Sequence, residues 1–125
     1  MRSKRSSVLI GVVDDDEFVR MALSSVLRSV GWRVIVYPSG EGLLGDSRRS
    51  KLKLVVADIQ MSGMDGFALL EAIASWKRPV PVIFISAYAT PQVSERAEAQ
   101  GAAGILGKPI NHTRLLALIE EIMEQ

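Results

Sequence analysis

At 125 residues, 48% hydrophobic and 23% charged, the chain has the length and composition of one ordinary globular domain, with no room for a second of usual size. It has no cysteine and one histidine, which excludes disulfides, thiolate and iron–sulfur centres, a cysteine nucleophile and any multi-histidine metal site. Fifteen basic residues against fourteen acidic give a net charge of +1; removing the three positive charges of Arg2, Lys4 and Arg5 leaves a body at −2, which argues against direct nucleic-acid binding.

The basic start is expected to be a disordered tail over residues 1–7, with the folded domain at 8–125. The apolar run Val8–Val13 is too short for a signal or membrane segment and ends in Asp14-Asp15-Asp16-Glu17, so a soluble cytoplasmic protein is expected. That run reads as a buried strand. Phe18, Val19, Ala22, Leu23, Val26, Leu27 and Val30 recur at helical spacing, and Gly31 stops the helix. Arg33–Tyr37 is a second strand, followed by a weak, glycine-interrupted helix over Gly40–Arg49. Leu52–Ala57 is the third strand, and Phe67, Leu69, Leu70, Ile73 and Ala74 mark a third helix. Val80–Ile85 is the fourth strand. Pro91–Gln100 is a helix with proline in its first turn, ended by Gly101. Gly104–Leu106 makes a short fifth strand, and Asn111 caps a last helix through Leu115, Ile119 and Met123.

Strands apolar throughout, each followed by a helix, predict an α/β fold: a doubly wound (βα)₅ three-layer sandwich of the flavodoxin-like kind, with parallel strand order 2-1-3-4-5. Ligands of such sheets bind beyond the carboxyl ends of the strands. Those ends carry Asp14-Asp15-Asp16, Asp58, Ser86 and Lys108-Pro109. Carboxylates converging on one rim repel unless a cation neutralises them, and a hard oxygen-seeking ion such as Mg²⁺ suits them. A lysine and a hydroxyl beside them suit an anionic phosphoryl group. The rim therefore points to phosphoryl transfer onto an aspartate.

Val12-Val13-Asp14-Asp15-Asp16, Ala57-Asp58, Met61-Ser62-Gly63-Met64-Asp65-Gly66, Ile85-Ser86-Ala87 and Lys108-Pro109 occur in that order. Together they resemble a response-regulator receiver domain of the CheY-like family, nearest the FixJ-type subgroup, from about Val8 to the end. The resemblance implies that Asp58 accepts the phosphoryl group, while Asp14, Asp15, Asp58 and the backbone carbonyl of Gln60 hold Mg²⁺, with Mn²⁺ a substitute. Ser86 would hydrogen-bond the phosphoryl group and Lys108 pair with it. The Lys108-Pro109 peptide is expected cis. The implied donor is a sensor histidine kinase or phosphotransfer protein. The implied output is a partner or domain not named by the sequence, with a phosphorylation-dependent dimer through the fourth helix, fifth strand and fifth helix as one form.

One departure stands out. Many receivers carry Tyr or Phe three residues before the lysine; here that position is Ile105, so the usual aromatic switch is absent and Tyr88, two after Ser86, is the candidate substitute. Asp16 and Glu17 read as favourable charge at a helix start, His112 as surface, Trp32 and Trp76 as packing residues, and Gly63 and Gly66 as supplying positive φ after Asp58. Two other functions compete. Asp14-Asp15-Asp16 is the Asp-x-Asp of a haloacid-dehalogenase-type phosphatase, although Phe18, the short chain and an idle Asp58 count against it. A pseudo-receiver that binds without phosphorylation is opposed by the full acidic, hydroxyl and lysine set.

Overall fold

A computed structural model describes residues 4–124. Five parallel strands lie in the order 2-1-3-4-5: β1 Leu9–Val13, β2 Arg33–Tyr37, β3 Leu52–Asp58, β4 Val82–Ser86 and β5 Gly104–Gly107. The helices between and after them are α1 Glu17–Ser29, α2 Gly40–Leu44, α3 Gly66–Ala74, α4 Pro91–Ala99 and α5 His112–Met123. The predicted doubly wound, flavodoxin-like order is the one observed.

Period-two alternation divides the strand side chains between two cores. Ile10, Val12, Ile83 and Ile85 face Leu23 and Leu27 of α1 and Leu115 and Ile119 of α5. Leu9, Val13, Val82 and Phe84 face the other way, onto Leu43 of α2, Phe67, Leu70 and Ile73 of α3, and Ala97 of α4. All five residues of β1 and of β4 are buried, which is why these strands read as unbroken apolar runs. Each fully buried Ile, Leu or Phe contributes about 1.5–3 kcal/mol relative to exposure. Every α-helix begins on a side-chain cap: Asp16, Ser39, Asp65, Thr90 and Asn111 each accept hydrogen bonds from first-turn backbone N–H groups.

Four expectations change. The predicted helix over Gly40–Arg49 ends at Leu44, with Gly45 as its cap. Asp46 then accepts from the Arg48 backbone N–H and starts a separate 3₁₀ turn over Ser47–Lys51. Phe18, counted into the apolar stripe of α1, is 88% exposed, and the buried face is Leu23, Ser24 and Leu27. The tail expected to be disordered is ordered where described: Lys4–Ser7 forms a 3₁₀ turn. Arg5 holds it there by donating to the Val30 carbonyl, pairing with Glu120 and lying over the Trp32 ring, 5.3 Å from its centroid; Met1–Ser3 lie outside the described residues. Gly66 does not have positive φ. Space is what it saves: a Cβ there would stand 2.7 Å from the Asp58 carbonyl oxygen and 2.8 Å from the Ile59 Cα.

Candidate phosphoryl-transfer site

The parallel order brings the carboxyl ends of β1, β3, β4 and β5 to one rim, and the polar residues follow from where each strand stops. Asp14 is the first residue past β1. Its backbone N–H donates to the Tyr37 carbonyl, and its own carbonyl accepts the Arg20 guanidinium of α1 at 2.7 Å. Its carboxylate is wholly buried; Oδ1 accepts from the Asp16 N–H at 2.8 Å and Oδ2 faces Lys108 Nζ at 3.1 Å. Asp58 ends β3, is 4% exposed, and lies 3.3 Å from the same ammonium through Oδ2. Its Oδ1 accepts from the Gln60 N–H, closing a short turn out of the strand. Asp15 is exposed and reaches across to accept from the Ser62 N–H at 3.2 Å. Gly63 lets that loop turn with a φ of +75°.

Two of the three carboxylates, Asp14 and Asp58, thus share one ammonium. Oxygens of Asp14, Asp15 and Asp58 lie within 4.8 Å of one another. Burial pushes the Asp58 carboxyl up from its ordinary value, and Asp14 pushes it further, against the opposing pull of Lys108. For Lys108, burial favours loss of the proton, but its hydrogen bond and charge attraction to Asp14, and then Asp58, outweigh burial and raise its pKa. Excess negative charge on converging oxygen donors suits a hard divalent cation of the Mg²⁺ type better than the softer metals.

Ser86 ends β4 and is completely buried. Its Oγ donates to Gln60 Oε1 at 2.8 Å and accepts from the Tyr88 N–H at 3.0 Å. The Lys108 N–H donates to the Ser86 carbonyl, and the Lys108-Pro109 peptide is cis, as expected.

The model of the response regulator receiver domain family matches residues 10–120. The chain belongs to that family. FixJ, a transcriptional regulatory protein of Bradyrhizobium diazoefficiens, is 30% identical over 93% of this chain and 57% of its own length. The response regulator TodT of Pseudomonas putida is 31% identical over 98% of this chain and 53% of its own. This receiver therefore spans little more than half the length of these two curated relatives. Among solved structures, the non-phosphorylated HemR receiver domain of Leptospira biflexa superposes with a TM-score of 0.85 at 27% identity, covering 94% of this chain and 95% of that one.

The receiver places Asp14, Asp15, Asp58, Ser86 and Lys108 on one rim, as their strand-end positions suggested. The phosphatase reading loses its motif: Asp16 is exposed and spends its carboxylate capping α1, accepting from Phe18 and Val19 N–H groups. Ile105 is half-buried beside Phe84 in the β4–β5 register and packs on the α3–α4 side of the sheet. Tyr88 is 66% exposed. His112 is exposed at the start of α5.

Two contacts escaped sequence reasoning. The Gln60 side chain, expected to matter only through its backbone, is the acceptor for the Ser86 hydroxyl, and no local pattern marks it. Arg20 pins the Asp14 carbonyl; its only signal is a position one turn into the helix that follows the acidic cluster. No described helix is long and apolar enough to cross a membrane.

Proposed function

We propose that this receiver, residues 8–125, is a cytoplasmic switch whose phosphoacceptor is Asp58. The observation that carries the reading is the Lys108 ammonium bridging the buried Asp14 and Asp58 carboxylates. In the proposed reaction an Asp58 carboxylate oxygen attacks the phosphorus of a phosphohistidine on a sensor kinase or phosphotransfer protein. The phosphorus–nitrogen bond breaks, the imidazole takes up a proton as it leaves, and a mixed carboxylic–phosphoric anhydride remains on Asp58.

Asp14, Asp15 and Asp58, with the Gln60 backbone carbonyl, would hold Mg²⁺, and Mn²⁺ would serve in its place. When bound, the ion neutralises the clustered carboxylates and draws charge from phosphoryl oxygens. Lys108 stays protonated, because Asp14 holds it so, and offers its ammonium to a phosphoryl oxygen. Ser86 donates its hydroxyl to another. The same set promotes loss of the group to water, so the protein is a self-modifying switch rather than a turnover enzyme. The output surface is the α4-β5-α5 face, toward a partner, an output domain or a second copy.

Incubation with an acyl phosphate and Mg²⁺ should add one phosphoryl group, seen by intact mass spectrometry. Asp58→Asn should abolish it; an unchanged adduct in that variant overturns the assignment.

A further inference from the structure

The sheet has a second polar end. A cavity of about 630 Å³ opens where β3 begins and β4 is about to begin, away from the aspartates. Leu52, Trp76 and Val80 give it apolar lining, and Arg49, Lys77 and Arg78 bring three cations. β3 runs seven residues from Leu52 to Asp58, so roughly 20 Å of strand separates this end from the phosphoacceptor. Among the described residues, none of the three cations has a carboxylate within ion-pair distance. The nearby Asp46 carboxylate is committed to Arg48 and Tyr37, and its backbone carbonyl accepts from Arg49 Nη1 at 3.4 Å.

Cations gathered without counter-charge around an aromatic wall call for an anion with a planar part. Guanidinium groups bind phosphate oxygens as forks, and a tryptophan face stacks on a heteroaromatic ring. The volume lies inside the range of small-molecule sites. Three cations favour a ligand with more than one negative charge, and Trp76 favours one with a base. We propose that this cavity binds a small nucleoside phosphate, with the phosphates on Arg49 and Arg78 and the base against Trp76.

Calorimetric titration of the whole chain in metal-free buffer, with ADP, GDP, adenosine and pyrophosphate as separate probes, tests this. A nucleotide should bind at least tenfold tighter than either adenosine or pyrophosphate. The double variant Arg49→Ala/Arg78→Ala should weaken it tenfold or more, while Asp58→Asn leaves it unchanged, which separates this site from the phosphoacceptor. Trp76→Ala should reduce nucleotide affinity to that of pyrophosphate. Circular dichroism of each variant confirms its fold, and the arginine pair, being exposed, carries the test if Trp76→Ala unfolds. Absence of nucleotide binding at millimolar concentration overturns the proposal. So does equal affinity for pyrophosphate, loss of binding in Asp58→Asn, or binding of a single-stranded oligonucleotide without the mononucleotides.

Discussion

Ser86 has a single proton to give, and Gln60 already holds it. For the hydroxyl to serve a phosphoryl oxygen, the 2.8 Å bond to Gln60 Oε1 must break while the bond from the Tyr88 N–H is rearranged. Gln60→Ala removes the competitor. Its cost should be about 1–3 kcal/mol from chemical denaturation, because the fully buried Ser86 hydroxyl loses its acceptor. In return, the variant should bind the phosphoryl mimic beryllofluoride more tightly; weaker binding would show that Gln60 assists the switched arrangement instead. Asp58 sits in the opposite balance. Its raised pKa means that the folded state binds a proton more readily than the unfolded one, so ionisation at neutral pH works against folding and acidification through the raised value relieves it. Asp58→Asn should therefore raise the melting temperature in metal-free buffer. Mg²⁺ should raise that of the unsubstituted chain, stabilising the fold by about 2.7 kcal/mol at a hundredfold excess over Kd, and Asp15→Ala should remove most of that gain. Melting indifferent to millimolar Mg²⁺ would contradict the carboxylate convergence.

Elements differ in how firmly they are held. The turn between α2 and β3 hangs on Asp46, which accepts the Tyr37 hydroxyl at 2.6 Å and the Arg48 guanidinium and backbone. Those bonds hold its carboxyl down at about 2, first through Arg48 and then through Tyr37. A depressed folded value contributes stability that is present above the ordinary 3.8 and is lost as pH falls through the folded value. Denaturation midpoints should thus drop between about pH 4 and pH 2, and Asp46→Asn should flatten that part of the profile. An identical acid limb in the variant would place the sensitivity elsewhere. This segment is also where sequence reading was weakest. Gly42 and Gly45 blur helical periodicity, and only the side-chain cap on Asp46 reveals that the chain restarts rather than continues. The strands were legible for the converse reason: burial on both faces leaves an apolar run that no surface element imitates. Phe18 shows the limit of that logic, since its spacing fits the stripe but its place on the first turn of α1 points it to water. The acidic, hydroxyl and lysine residues were legible because each ends a strand; Gln60 was not, because its role depends on a side chain that meets Ser86 only through the fold.

At the scale of the molecule, the helix best suited to relay a change is the one with the least holding it. α4 buries only Ala97, with Arg96 lying over the Phe67 ring at 3.8 Å, and its start is joined to Ser86 by a fully exposed loop. Ile105 has no polar atom with which to follow the hydroxyl, and it packs beside Phe84 against the core on the α3–α4 side of the sheet. Amide exchange with and without beryllofluoride should therefore change across residues 86–94, with Tyr88 altering its exposure and Ile105 nearly still. Changes confined to β5 and α5, with residues 87–90 silent, would refute this route.

The Lys108 ammonium joins partners that stand 94 and 50 residues away along the chain. Because synthesis delivers residues in order, both aspartates leave the ribosome well before the lysine that completes their rim, and β5, which positions it, comes late as well. A nascent receiver therefore cannot present its finished phosphoacceptor centre early. Competence to be phosphorylated arrives only once all five strands have been made, so the geometry that makes the centre also dates it.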